Sequence, residues 1–373
     1  MSNKFCRELS NGYKINVIGG ELTWSPCCYY AKKIKLLDRP AFEEALAYTS
    51  SATGWLPECG VCKNLEAVGN TRLTPRLTSL FRIPEEVETG ACVDLEISFD
   101  INCNAACLSC SGGFSTAWQK YEHKHQLFDY GPITDHAPRL LQELIDNVPL
   151  DQLRNLFILG GEPFYSNTHT TLLKHILQVH PEPEKIEVWY QSNGSLFPDE
   201  EVRALWTKFK KVVVSLSLDG VNNQFEYLRY PLTWNRVENT VSNLLEKTNA
   251  FITINSTINP LNILYFDELE NWVTSAIPES RLGWRVKGDV IRLNQCWAPM
   301  NLNLSTPELK QACLEKYGEN HGINQIFKTM HFGGKLEVLK MFAYIEKHDA
   351  LRKLDWRTTF PKVVTFYKNI LAP

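Results

Sequence analysis

From about Val93 onward the apolar positions switch repeatedly between two periods. Short runs rich in β-branched and aromatic residues predict strands: Asp94 to Phe99, Asn155 to Leu159, Ile186 to Tyr190, Val212 to Leu218, Phe251 to Ile258, and a sixth inside Leu282 to Cys296. Between them "APRLLQELIDNV", "HTTLLKHILQVH", "DEEVRALWTKFKK", "TWNRVENTVSNLLEK" and "FDELENWVTSAI" repeat apolar residues at helical spacing, several behind an Asp, Thr or Pro start signal. Such alternation predicts an α/β fold with six βα units around a parallel sheet.

Either side of this region the pattern changes. Residues 1–90 are turn-rich ("GGELTWSPCCYY", "GWLPECGVCKNLEAVGN") and carry Cys6, Cys27, Cys28, Cys59 and Cys62, which predicts a separate small module. Residues 91–300 hold the βα units. After about Asn301 the helical period returns without further strand signals ("TPELKQACLEKYG", "KLEVLKMFAYIEKHDALRKL"), predicting a helical extension over 301–373. There is no repeat at a fixed period and no low-complexity segment.

Composition narrows the function classes. The 373 residues can bury a sizeable core, and 44% hydrophobic and 22% charged residues with a formal net charge of -3 imply no polyanion partner. No run of Lys and Arg is long enough to follow a phosphate backbone, so a nucleic acid would be at most a substrate in a pocket. The first residues lack the apolar core of a signal peptide, and no segment approaches eighteen uninterrupted apolar residues, so no membrane span and a cytoplasmic location are expected. Eleven cysteines in a reducing compartment argue for metal or redox chemistry over disulfides.

The unusual residues gather where parallel βα folds bind ligands, at the carboxyl ends of the strands. "CNAACLSC" (Cys103, Cys107, Cys110) follows the first of these strands, "GGEPF" (Gly160 to Phe164) the second and "QSNG" (Gln191 to Gly194) the third, while "SLDG" (Ser217 to Gly220) ends the fourth. A [4Fe-4S] cluster is normally held by four thiolates, so three leave one iron open. An open iron can chelate an amino and a carboxylate group, and S-adenosylmethionine offers both.

The C-x3-C-x2-C run with Gly160-Gly161-Glu162-Pro163 at the next strand end resembles the radical S-adenosylmethionine (radical SAM) superfamily over roughly residues 93 to 300. That resemblance implies a partial (β/α)6 TIM-like barrel. It also implies reductive cleavage of S-adenosylmethionine to methionine and a 5'-deoxyadenosyl radical that removes a substrate hydrogen atom, with the electron from a flavodoxin- or ferredoxin-type donor. Cys103, Cys107 and Cys110 would hold the cluster. Gly160 and Gly161, lacking Cβ atoms, would let backbone carbonyls approach the methionine ammonium, with Glu162 and Pro163 completing the turn. Ser217 would face the ribose, above a turn at Asp219 and Gly220; Arg229 would meet the methionine carboxylate or form a structural ion pair. Ser109 stands where the family usually has an aromatic residue against adenine, and "FITINSTINP" lacks the family's Gly-x-Ile-x-Gly element, leaving Asn255 and Thr257 as pocket candidates.

Cys6, Cys27, Cys59 and Cys62 make a second set of four ligands, with Cys28 as substitute for its neighbour. Their pattern, with Glu66 and Gly69, resembles the twitch form of the SPASM module, placed before the barrel as in certain phage and bacterial proteins. It implies an auxiliary [4Fe-4S] cluster; zinc is the alternative. Twitch-bearing relatives imply a peptide or protein side chain as substrate, a small or nucleotide-derived molecule being the second reading and a non-catalytic metal-binding interaction protein the third. Cys296 is a candidate hydrogen-atom donor or a buried core thiol. His123, His125 and His136 read as a solvated loop, and Cys92 and Cys313 as packing residues.

Overall fold

The computed structural model describes residues 5–18, 20–67, 74–130, 136–283, 291–296, 299–327 and 333–371. The chain divides into two compact units, the first made of Met1–Asn102, Pro132–Gln191 and Pro198–Val213 and the second of Cys103–Gly131, Ser192–Phe197 and Val214–Pro373.

In the first unit the strands β1 (Gly12–Ile18), β2 (Glu21–Ser25), β3 (Ile34–Lys35), β4 (Asp94–Ser98), β5 (Asn155–Leu159) and β6 (Glu187–Ser192) lie in the order β3-β2-β1-β4-β5-β6. The pairs β1–β4, β4–β5 and β5–β6 are parallel, whereas β1–β2 and β2–β3 are antiparallel. Register aligns Ile15, Ile97, Ile158 and Tyr190 across four strands, all buried, so period-two alternation delivers one continuous apolar row. The helices Ala137–Asn147 and Thr168–Val179 bury Leu140, Leu141 and Leu144, and Leu172, Leu173 and Ile176, the residues whose spacing predicts them.

The cysteine-rich first 90 residues hold three strands that the sequence reading does not assign. Gly12 to Ile15 pair with Asp94 to Ile97, so this segment extends the sheet that carries β4. Arg82 stands beside the carboxylates of Glu8 and Asp94 at the same place.

The second unit contains the end of β7 (Lys211–Ser217), β8 (Phe251–Ile258) and β9 (Ile291–Gln295), neighbours in that order, with β8 and β9 parallel. Its C-terminal part is helical as expected. The helices Lys335–Arg352, Trp356–Thr359 and Pro361–Leu371 enclose Phe342, Trp356 and Tyr367, with ring centroids 4.7 and 4.8 Å from Phe342. Phe360 meets Tyr227 and Tyr265 edge-on, which ties this extension to the βα region. The α/β class and the parallel strands expected from the sequence are found. No helix among the described residues is long and apolar enough to cross a membrane.

Candidate functional site

At the end of β5 the chain makes a turn that only glycine accommodates. Gly160 has φ +132°, and a Cβ on Gly161 would lie 2.2 Å from the Asn102 carbonyl oxygen. The close approach lets the Gly161 and Glu162 amides donate to the carbonyls of Asp100 (3.2 Å) and Asn102 (2.7 Å). The Asn102 amide in turn donates to Asp100 Oδ1 at 3.0 Å. Gly-Gly-Glu is therefore strapped to residues 100–102, and the next residue in the chain is Cys103. Glu162 is fully buried and accepts the Phe164 amide at 3.3 Å, capping the short turn Pro163–Tyr165. Phe164 packs on Tyr190 and His169 beneath.

In the second unit the loop from Cys103 to Cys110 is fixed through its backbone. The Cys103 amide donates to Thr116 Oγ1 (3.2 Å), and the Ala106 and Leu108 amides donate to the carbonyls of Tyr230 and Leu228, both at 2.7 Å. Asn104 is held by Asn193 (2.8 Å) and donates to Ser195 Oγ (2.9 Å), which brings part of "QSNG" to the thiol loop. Cys107 is buried and Cys103 and Cys110 half-buried. Burial pushes the Cys107 thiol up to about 12, against the pull of the nearby Arg229 guanidinium. Arg229 Nη1 lies 3.9 Å from Cys107 Sγ and its Nη2 2.9 Å from Asp219 Oδ2, while its buried Nε has no partner among the described residues. Asp219 also accepts the Thr257 amide at 2.7 Å, and its carbonyl accepts Asn262 Nδ2 at 2.9 Å. Ser217 is half-buried at the end of β7. A cation against the Cys107 thiol and acting electrostatically on Cys110 suits a group that binds as thiolate, so the donor set and the orphaned Nε fit an anionic cluster here.

The other cysteine set lies wholly in the first unit. Cys6, Cys27, Cys59 and Cys62 line one small pocket with Phe5, Leu9, Tyr29, Tyr30, Trp55 and Arg76. Burial raises the thiols of Cys6, to about 12, and of Cys62, to about 11. Cys28, one residue from Cys27, is exposed and does not line the pocket. Arg76 grips Glu66 through Nε at 3.0 and 3.1 Å and lies over the rings of Phe5 and Trp55, so its charge is neutralised at the pocket wall. Gly69 lies outside the described residues. Four thiols lining one pocket are the ligand types of a closed metal group, and iron and zinc both accept such a set. Among the described residues no three His, Cys, Asp or Glu side chains are drawn together around a single ion.

Other candidates separate. Cys296 is buried, its thiol raised to about 12 by burial, with its amide on the Ile258 carbonyl at 3.2 Å. Asn255 accepts a hydrogen bond from Asn294. Cys92 and Cys313 are fully buried. His123 is in the helix Thr116–Lys124 and His125 caps it against Tyr121, so a helix stands where a solvated loop is expected. The sequence reading passes over Trp118, Tyr344 and Arg352, whose side chains reach the thiol loop from a helix beside it and from the C-terminal extension.

Residues 97–273 match the Radical SAM superfamily. No curated protein matches the chain. Among solved structures, native anSMEcpe with bound AdoMet is similar with a TM-score of 0.43 and 16% identity, covering 66% of this chain and 66% of that one. Streptococcus suis SuiB bound to precursor peptide SuiA gives 0.38 and 13%, covering 88% and 63%. TYW1 with a lysine-pyruvate adduct gives 0.30 and 17%, covering 62% and 72%. The chain spans just under two thirds of the anSMEcpe chain. The thiol loop and the Gly-Gly-Glu turn both lie inside the residues that match the Radical SAM superfamily.

Proposed function

We propose that the chain reductively cleaves S-adenosylmethionine at a [4Fe-4S] cluster held by Cys103, Cys107 and Cys110, and abstracts a hydrogen atom from a peptide or protein side chain in the cytoplasm. The observation that carries this reading is the guanidinium of Arg229 beside the Cys107 thiol, within a match to the superfamily. When bound, the cluster supplies one electron to S-adenosylmethionine, drawn from a flavodoxin- or ferredoxin-type donor.

The chain's own residues bind and orient. Arg229, with Asp219 behind it, offsets the negative charge that three thiolates bring into a buried place. The turn Gly160 to Pro163 and Ser217 contact S-adenosylmethionine at the strand ends, and Glu162 contributes a negative charge toward an ammonium. In the first unit Cys6, Cys27, Cys59 and Cys62 hold an auxiliary [4Fe-4S] cluster of the twitch type, with zinc as the other occupant that four thiolates accept. Cys27 is assigned over Cys28 because it alone of the two faces the pocket.

The test is anaerobic reconstitution with iron and sulfide counted per chain, followed by assay of the reduced protein for 5'-deoxyadenosine, beside a triple variant C103A, C107A, C110A. About eight irons, with cleavage lost in the variant, support both clusters. About four irons plus zinc, with cleavage intact, keep the enzyme and replace the auxiliary cluster. Absence of 5'-deoxyadenosine from a fully loaded, reduced protein supplied with candidate peptides overturns the reading.

A further inference from the structure

We infer that Arg352, on the helix Lys335–Arg352, is a positioning residue for the Cys103 to Cys110 loop, acting with Trp118 and Tyr344 by fixing three consecutive peptide carbonyls. The inference rests on the reading of that loop as cluster-binding.

Between its first and last thiol the loop has no regular structure, so each buried backbone group needs a separate partner. The amides of Ala106 and Leu108 take the carbonyls of Tyr230 and Leu228. Their own carbonyls, and that of Cys107 between them, are met by side chains from two helices. Arg352 Nη2 donates to Ala106 O at 2.9 Å, Trp118 Nε1 to Cys107 O at 2.7 Å, and the Tyr344 hydroxyl to Leu108 O at 3.1 Å. Two of these three donors come from the C-terminal helix, outside residues 97–273.

Arg352 is more than a neutral donor would need to be. The residue is 7% exposed and its guanidinium lies over three rings, 5.0 Å from the centroid of Trp118 and 4.9 Å from those of Tyr121 and Tyr230. Its Nε has no partner among the described residues. A buried cation is costly unless anions answer it, and the ring faces, the Ala106 carbonyl, the Tyr121 hydroxyl and the Asp349 carboxylate each answer part of its charge. Three thiolates and a cluster bound to the loop whose Ala106 carbonyl it holds would add further negative charge on the same segment. Arg352 therefore both sets the loop's backbone and favours the more negative, reduced state of what the loop binds.

The experiment uses the full chain with R352Q, R352K and Y344F. Amide hydrogen exchange over residues 104–110 of the metal-free protein reads the positioning, and an EPR-monitored redox titration after reconstitution reads the charge. Exchange roughly tenfold faster in R352Q and a few-fold faster in Y344F is expected, because each carbonyl loses its donor. The midpoint potential should fall in R352Q and hold in R352K, a split that a purely structural part would not produce. Unchanged exchange in both R352Q and Y344F overturns the inference, as does an unchanged potential in R352Q. Should R352Q not fold, R352K and Y344F decide it: exchange equal to that of the unmutated protein in both overturns it. If the unmutated protein binds no iron on this loop, the cluster reading fails, while the exchange result still judges the positioning.

Discussion

Arg229 and Asp219 form a buried ion pair, Nη2 to Oδ2 2.9 Å, whose cation also reaches the Cys107 thiol at 3.9 Å. Breaking one side of such a pair leaves a buried charge uncompensated. Arg229→Gln should therefore lower the stability of the metal-free protein by about 3 kcal/mol, read by urea unfolding. Asp219→Asn keeps an acceptor for the Thr257 amide but strands the buried Arg229 cation, so it should cost a comparable amount; a negligible loss there would place the Arg229→Gln effect in packing instead of charge.

Gly161→Ala should be among the most damaging small substitutions. Its Cβ would stand 2.2 Å from the Asn102 carbonyl, so the strap between residues 100–102 and the Gly-Gly-Glu turn has to shift. A loss of about 2 kcal/mol, with weaker S-adenosylmethionine binding by equilibrium dialysis, is expected. Gly54→Ala, with nothing within 4 Å, is the control that should leave both unchanged.

Adjacent cysteines should behave oppositely. Cys27→Ala removes a thiol from the N-terminal pocket and should cost the protein its second metal group, while Cys28→Ala leaves the pocket lining intact and should not. Iron, sulfide and zinc counted per chain in the two variants decide between them. Equal metal loss in both would show that either thiol can serve.

Acid should destabilise the fold through buried histidines. His169, against Tyr190 (3.2 Å to its hydroxyl) and Phe164, has its pKa lowered by burial to about 4, with the charge of Asp199 opposing only weakly. His348, beside Tyr121 and Arg352, is lowered likewise to about 4. Between the ordinary value of 6.5 and 4 the unfolded chain takes up a proton that the folded chain refuses. Stability is thus held above pH 6.5 and lost as pH falls through that window, by roughly 3 kcal/mol per histidine. His169→Gln should remove its own share of this loss, roughly 3 kcal/mol, in unfolding curves taken from pH 7 to pH 4, leaving the shares of His348 and of His180, which burial lowers as well. An unaltered pH profile would assign the acid sensitivity elsewhere.

Much of the βα region is legible because its signals are local. Asn155–Leu159 and Phe251–Ile258 coincide with the observed strands, and the helices between them follow their apolar spacing. β1 and β2 carry a signal too, alternation in "GYKINVI" followed by Gly19-Gly20, but what joins this hairpin to the sheet is the parallel pairing of β1 with β4, some eighty residues away. The thiol spacing is legible as a candidate cluster loop because ligand chemistry resides in side chains. Arg352 and Tyr344 could not be found that way, since they bind backbone carbonyls, which leave no mark on the sequence of the loop they hold. Cys27 and Cys28 look equivalent as letters, and only burial separates them.

The hold of Arg352 on Ala106 has a consequence in time. The two residues are 246 positions apart, so at about 5–20 residues per second the ribosome delivers the donor roughly 12 to 50 seconds after the acceptor. Throughout that interval the nascent loop carries its thiols with the Ala106 and Leu108 carbonyls unclaimed by the C-terminal helix. If these thiols take a metal, the loop that carries them reaches its full set of backbone partners only once residue 352 has been made.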